Sequence, residues 1–163
     1  MDQFGQLLVS AANIIIAVVL GVLASYVGVW LFSRSTRHLD DLGEVRRGNT
    51  AMGVMLAAII IGLALILKPA IDLPMTAPAT NPLLVIVGEL LGVVVGLVLG
   101  VSAIVFAVGL FGHLIGDIDE LAELQKGNVA VAAMMSGVIL AVSILISGAV
   151  AAIIHWFVTF LAG

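Results

Sequence analysis

The sequence predicts an all-α integral membrane protein with four transmembrane helices, arranged as two parallel-oriented helical hairpin repeats with short cytoplasmic interfacial helices. Three observations support this fold class. Of the 163 residues, 63% are hydrophobic and 10% are charged, and the mean hydropathy is +1.32, so the charged surface of a water-soluble domain cannot be built. Four apolar stretches are about long enough to cross a bilayer. A charged segment that ends in Gly-Asn occurs twice. Residues 1–163 are expected to form a single membrane domain.

The four apolar stretches cover residues 7–32, 51–67, 83–111 and 129–161. A bilayer-spanning helix needs about 20 apolar residues. The second stretch is the shortest, and it gains length if it continues past Lys68. The fourth is longer than a span requires, so it is expected to tilt, or to bend near Ser147 and Gly148. Because the strands of a membrane barrel give shorter, alternating segments, helices are predicted for all four stretches.

The distribution of basic residues predicts the orientation in the membrane. Five of the six follow the first or the third stretch: Arg34, Arg37, Arg46, Arg47 and Lys126. Only Lys68 lies at the other membrane face. Since basic loops stay in the cytoplasm, both charged loops are expected inside and both termini outside. The opening segment MDQFGQ carries no basic residue, so a cleaved signal peptide is not expected.

An internal repeat relates the two halves of the chain. EVRRGNTA at residues 44–51 returns as ELQKGNVA at residues 123–130, and the same shift of 79 positions (123 minus 44) aligns further residues around them. The repeats are residues 1–75 and 82–163, each a helix, a charged connector and a second helix. Because each repeat crosses the membrane twice, both keep the same orientation. The inverted repeats that build many alternating-access transporters are not predicted.

Each charged connector is predicted to form a short amphipathic helix at the membrane surface. Its apolar residues recur at every third position, at Leu39, Leu42 and Val45 and again at Ile118, Leu121 and Leu124. Gly48 and Gly127 suit the left-handed position that ends such a helix. Asn49 and Asn128 suit the N-cap of the spanning helix that follows. Gly-Asn is therefore predicted to be a hinge between a surface helix and a spanning helix.

A charged connector, then GN-x-A, then a span rich in small residues, occurring twice in four helices, resembles the domain of unknown function 350 family. The residues that carry the resemblance are Gly48-Asn49-Thr50-Ala51 and Gly127-Asn128-Val129-Ala130. Nine positions past each Asn stand Ala58 and Gly137, and the family often has Gly there, so Ala58 departs from its pattern. The resemblance covers nearly the whole chain. It implies four spans and a location in the plasma (inner) membrane, and it implies no established activity.

The paired asparagines have two interpretations. As N-caps they would each stabilise a helix by about 1 kcal/mol. Alternatively Asn49 and Asn128, with Gly48 and Gly127 beside them, line a pore mouth or contact a ligand head group. Capping is favoured because it requires no further assumption, and the two roles are compatible in an oligomer.

A run of glycines predicts close helix packing in the third stretch. Gly88, Gly92, Gly96 and Gly100 recur at every fourth residue, so they share one helix face. Another helix backbone can approach such a face closely. The fourth stretch offers a small-residue surface that includes Gly137. This packing occurs either inside one subunit or at the seam of a homo-oligomer, and the sequence does not choose between them.

Glu89 is the acidic residue that lies well inside an apolar stretch. A carboxylate in hydrocarbon is costly and often marks a functional site. One interpretation is a proton or ion site. The other is a carboxylate close enough to the outer surface to reach water or to pair with Lys68.

Several classes of function find no support in the residues. There is no Cys, no HExxH or other paired metal-ligand spacing and no GxSxG, so no enzyme, metal or cofactor is expected, and no basic surface favours nucleic acid. The favoured function is a homo-oligomeric membrane scaffold or assembly protein whose connector helices contact a cytoplasmic protein partner. The alternative is a small-ion or proton channel or transporter that uses Glu89 and the Asn49/Asn128 pair.

Overall fold

The computed structural model describes residues 3–35, 41–72, 82–115 and 119–162 of the chain. Six helices account for nearly all of them: α1 Gln3–Ser35, α2 Asp41–Arg46, α3 Thr50–Ile71, α4 Pro82–Ile115, α5 Glu120–Gln125 and α6 Val129–Ala162. No strand occurs within these ranges, so the all-α class predicted from the sequence is confirmed. Leu39 and Ile118, predicted to lie on the apolar faces of the surface helices, fall outside the described residues.

Three helical segments are long and apolar enough to cross a membrane: Thr50–Ile71, Leu90–Gly112 and Val129–Phe157. In the first helix the described apolar segment, Val18–Arg34, is shorter. The length and composition of these helices indicate a helical membrane protein. A fourth span in α1 and the arrangement of the helices as two repeats stay predictions. Helix α6 continues without interruption through Ser147 and Gly148.

Helix α3 is the most buried of the three long apolar helices, and it packs against α1, α4 and α6. Its side chains Met52, Met55, Ile59 and Leu63 are fully buried, whereas α1, α4 and α6 keep many large apolar side chains exposed. Such exposed side chains are compatible with hydrocarbon. Since lipid tails are as apolar as these side chains, close van der Waals packing rather than escape from water holds such a bundle together.

Glycines set the distance between α4 and its neighbours. A Cβ atom added to Gly92 or Gly96 would lie 2.9 Å from a side chain of α3, and one added to Gly100 would lie 3.0 Å from Ile66 Cδ1. Gly88 is buried as well. The glycine face predicted in the third stretch therefore meets α3 of the same chain at three of its positions, and its use as a seam between subunits stays a prediction.

Helices α3 and α6 also approach closely. A Cβ atom added to Gly62 would lie 3.3 Å from Ser143 Cβ and would press on its hydroxyl. That hydroxyl donates to the carbonyl of Ile139 at 2.7 Å, and Ser136 Oγ donates to the carbonyl of Val54 at 3.4 Å. These two serines are the buried polar side chains of the described core, and both are satisfied by main-chain carbonyls.

Candidate functional site

The first Gly-Asn hinge turns α2 into α3 through a left-handed glycine. Gly48 has φ 86°, a conformation that costs a residue with a Cβ atom roughly 1–2 kcal/mol. Its N–H donates to the carbonyl of Val45 at 2.9 Å, and the N–H of Asn49 donates to the carbonyl of Glu44 at 3.0 Å. These two bonds form a Schellman motif, which satisfies carbonyls that the end of a helix otherwise leaves unpaired.

The second hinge repeats this main-chain geometry between α5 and α6. Gly127 has φ 83°, and its N–H donates to the carbonyl of Leu124 at 3.0 Å. The N–H of Asn128 donates to the carbonyl of Glu123 at 2.9 Å. The same two residue types therefore make the same turn at two places in the chain.

Each asparagine caps the spanning helix that begins after it. Asn49 Oδ1 accepts from the N–H of Met52 at 3.1 Å. Asn128 Oδ1 accepts from the N–H of Ala130 at 3.1 Å and from that of Val131 at 3.3 Å. A helix N-terminus leaves four N–H groups without an intrahelical partner, and a side-chain cap contributes about 1 kcal/mol. Both side-chain oxygens are thus engaged in capping, as the simpler interpretation of the motif requires.

A glutamate connects the asparagine to a basic residue at the first hinge. Asn49 Nδ2 donates to Glu44 Oε2 at 3.3 Å, and Arg47 Nη1 donates to Glu44 Oε1 at 2.9 Å. Arg47 is largely exposed, so the ion pair contributes little stability by itself. Its effect is to hold the carboxylate in the place where it orients the Asn49 amide.

The second hinge has the same network with lysine in place of arginine. Glu123 Oε2 accepts from Asn128 Nδ2 at 2.8 Å, and Glu123 Oε1 accepts from Lys126 Nζ at 2.8 Å. The hydrogen bond from Asn128, followed by the bond and charge of Lys126, holds the pKa of Glu123 below its ordinary value. The hydrogen bond and charge of Glu123 in turn raise the pKa of Lys126.

The two hinges meet, and Asn49 makes the contact between them. Its Nδ2 also donates to the carbonyls of Leu124 at 2.8 Å and of Gln125 at 3.2 Å, at the end of α5. Among the described residues Asn128 makes no such bond to the first hinge. Leu124 is fully buried, whereas Val45 at the matching position is 38% exposed. The sequence could not reveal this asymmetry, because the two motifs are alike.

The carboxylate of Glu120, on the second surface helix, lies against the end of α4. A Cβ atom added to Gly112 would lie 2.7 Å from Glu120 Oε1, and this buried oxygen has no hydrogen-bond partner among the described residues. Asp119 caps α5 by accepting from the N–H of Ala122 at 3.0 Å. No pattern in the sequence distinguishes Glu120 from the other acids of the connector, because its burial depends on the approach of α4.

The remaining predicted site residues do not join the hinges. The side chain of Glu89 lies outside the described part of the structure, so the proton or ion site stays a prediction. Lys68, considered as its partner, forms an ion pair with Asp72. Gly137 is exposed on α6, and nothing lies within 4 Å of an added Cβ atom. Within the described ranges no group of three or more His, Cys, Asp or Glu could hold a metal ion.

Comparison with known proteins gives one family match. The family model described as Domain of Unknown Function (DUF350) matches residues 6–150, a range that includes both hinges. No curated protein and no solved structure matches the chain significantly. The resemblance drawn from the two Gly-Asn motifs is therefore confirmed at the level of the family.

Proposed function

We propose, from the premise that the chain belongs to the Domain of Unknown Function (DUF350) family, that it is a homo-oligomeric membrane scaffold or assembly protein without enzymatic activity. The observation that carries the proposal is the apolar contact between α3, α4 and α6. The described core is apolar, and its two buried hydroxyls, of Ser136 and Ser143, bond to main-chain carbonyls. Ion conduction needs polar groups or water along the path, and the two buried hydroxyls of the described core are already bonded to main-chain carbonyls.

The proposed architecture is four spans in two parallel hairpin repeats. The matching turns, caps and glutamate networks at Gly48-Asn49 and Gly127-Asn128 support the duplication. Helix α1 has 33 residues, more than the roughly 20 that a bilayer requires, which supports a fourth span. The excess of basic residues near the hinges then favours their location on the cytoplasmic side of the plasma membrane, with both termini outside.

In this proposal the surface helices supply contacts for a cytoplasmic protein partner. Leu42 on α2 is a large apolar side chain that is more than half exposed. Exposed basic side chains, Arg46 and Lys126, lie on the two short helices or directly after them. An exposed apolar residue beside charged ones matches the apolar centre and polar rim of a small protein interface.

The test combines native mass with ion flux. The chain, of 16.8 kDa, is reconstituted in nanodiscs for mass measurement and in liposomes for proton and potassium flux. We expect a discrete multimer, and flux equal to that of empty liposomes. A monomer in lipid contradicts the proposal. Flux that disappears in Glu89→Gln but persists in the control Glu123→Gln, which neutralises a carboxylate at the hinge, supports the channel instead.

A further inference from the structure

The contact between α3 and α6 inside one chain suggests how two copies could fit together. The hinges at residues 48–49 and 127–128 have the same geometry, and a shift of 79 positions relates residues of the first repeat to counterparts in the second. Three contacts define how the first hinge and α3 sit against the second repeat: Asn49 Nδ2 with the carbonyl of Leu124 on α5, Gly62 with Ser143 on α6, and Ile66 with Gly100 on α4. Together they are called the intrachain interface.

The two helices use different faces in this interface. Met55 and Ile66 on α3 are fully buried, while their counterparts on α6, Met134 and Leu145, are 55% and 76% exposed. An interface built from the same face on both partners would be self-complementary and would close on itself. The intrachain interface is heterologous instead, so it leaves one face of α6 and one face of α3 unused.

The unused face of α3 consists of the counterparts of α6 residues that are buried against α3 inside the chain. Three buried residues of α6 lie on the side that meets α3: Ser136, Ile139 and Ser143. Their counterparts on α3, Ala57, Ile60 and Ala64, are all exposed. Two of the three are alanines, so another helix can approach this face as closely as α3 approaches α6.

Cavities lie along this face of α3, from the hinge towards the other end of the helix. Two of them, of about 470 and 400 Å³, lie between α1 and α3 and share Ser25 and Ile60, and together they are called the α1–α3 groove. A separate cavity of about 380 Å³ lies further along α3 at the hinge and is lined by Val45 and Ala57. Gly21 lines the largest of these cavities, and it is the counterpart of Gly100, which receives Ile66 inside the chain.

Asn128 offers a polar contact at the hinge end of the unused α6 face. Its Nδ2 carries two hydrogens, and its hydrogen bond among the described residues is to Glu123. Asn49 makes the equivalent bond to Glu44 and in addition reaches the carbonyl of Leu124. The counterpart of that carbonyl is the carbonyl of Val45, a residue that lines the cavity at the hinge.

We propose that α6 of a second copy of this chain occupies the α1–α3 groove, in the register that α3 holds between α4 and α6. In that register Asn128 donates to the Val45 carbonyl, Ala141 meets Ala64, and Leu145 packs on Gly21. The proposal rests on the proposed assembly function and specifies its partner and its seam. Because the contact is head-to-tail, each copy uses its groove once and its α6 face once, and a ring forms where the rotation closes.

Disulfide crosslinking tests the seam directly, because the chain contains no Cys. One tagged copy carries Ala141→Cys, and a co-expressed copy with a different tag carries Ala64→Cys. Both alanines are exposed, so both variants are expected to fold. The equivalent pair inside the chain is Gly62 and Ser143. A Cβ atom added to Gly62 would lie 3.3 Å from Ser143 Cβ, and the two Cβ atoms of a disulfide are roughly 3.5–4.5 Å apart. Mild oxidation in the membrane is therefore expected to link the two tags.

The matched control moves one cysteine to the neighbouring position. Leu140→Cys lies at the same depth but about 100° around the helix, and with Ala64→Cys it is expected to crosslink several-fold less. Equal yields from the two pairs overturn the head-to-tail seam, and so do disulfides that form only between two copies carrying Ala141→Cys.

The native mass measured before oxidation separates the seam from the proposed assembly function. A multimer that forms no disulfide between positions 141 and 64 refutes the seam alone, and lipid would then fill the groove. A monomer refutes both the seam and the assembly function.

Discussion

The two Gly-Asn hinges share their local contacts and differ in what surrounds them. Both have a left-handed glycine, a Schellman motif and an asparagine cap held by a glutamate. Asn49 nevertheless extends to Leu124 of the other hinge, which is fully buried. Val45, the counterpart of Leu124, stays 38% exposed.

This difference shows that a repeated sequence does not impose equal burial. Helix α3 is enclosed by α1, α4 and α6, so contacts of the first hinge stabilise the interior of the subunit. Helix α6 leaves Met134 and Leu145 exposed, so the second hinge and α6 do not make the equivalent contact within the subunit. In the proposed assembly the second hinge makes it with another copy.

The largest expected contrast comes from enlarging the small residue midway along each helix. Gly62→Leu drives a side chain into Ser143, and overpacking of this kind is expected to cost about 3 kcal/mol of unfolding free energy. Ala141→Leu, at the counterpart, points outward and is expected to change that free energy by less than about 0.5 kcal/mol. Titration of the diluted, monomeric chain with SDS, followed by circular dichroism, measures both. Similar losses at the two positions would contradict the unequal environments.

Removal of the asparagine side chains sharpens the comparison at the hinges themselves. Asn49→Ala removes a cap of about 1 kcal/mol and the bonds to two carbonyls of α5, so a loss of roughly 2–3 kcal/mol is expected. Asn128→Ala removes the cap and the hydrogen bond to Glu123 but no contact with the other hinge, and about 1 kcal/mol is expected.

Serine variants separate the cap from the contact between the hinges. Asn49→Ser and Asn128→Ser both keep a capping oxygen, but neither keeps the amide donor. Only Asn49→Ser is expected to remain clearly destabilised in the same SDS titration. If the two serine variants unfold at the same SDS fraction, the bond from Asn49 to Leu124 does not stabilise the subunit.

Replacement of the glycines tests whether the hinges are alike locally. Gly48→Ala and Gly127→Ala are each expected to cost about 1–2 kcal/mol, because the left-handed conformation disfavours a Cβ atom. No neighbour lies closer than 4.0 Å to the added atom at either position, so conformation rather than packing determines the cost. Gly109→Ala, at an open position in α4, is the control and is expected to be neutral or stabilising by up to about 1 kcal/mol. A cost confined to one hinge would break the local equivalence.

The smallest expected effect is a pH dependence at the second hinge. Asn128 and Lys126 hold the pKa of Glu123 below its ordinary value of 4.5. A lowered carboxyl pKa contributes stability at pH values above the ordinary pKa, and the contribution is lost as the pH falls through the lowered pKa. The SDS midpoint is therefore expected to fall as the pH is lowered below 4.5, and to fall less in Glu123→Gln. An unchanged acid sensitivity in that variant would show that other carboxyls cause it.

The hinges were predictable from the sequence because their chemistry is local. A left-handed glycine and a helix cap depend on main-chain groups a few residues away, so Gly48, Asn49, Gly127 and Asn128 could be assigned from spacing alone. The face on which a glycine packs was not predictable in the same way. A small residue suits any neighbouring helix, so Gly92 and Gly137 looked alike in the sequence, although one meets α3 and the other meets nothing within 4 Å.

By itself the sequence determined the membrane class, the all-helical structure, the two hinges and the family. Composition decides which solvent a chain tolerates, and hydrogen bonds within a few residues decide where a helix turns. Only the tertiary structure decided which copy of the motif is buried. Helix α3 has neighbours on most sides and α6 does not, and this difference depends on contacts between distant parts of the chain. Equal motifs therefore occupy unequal environments, because burial belongs to the position of a helix in the bundle and not to its residues.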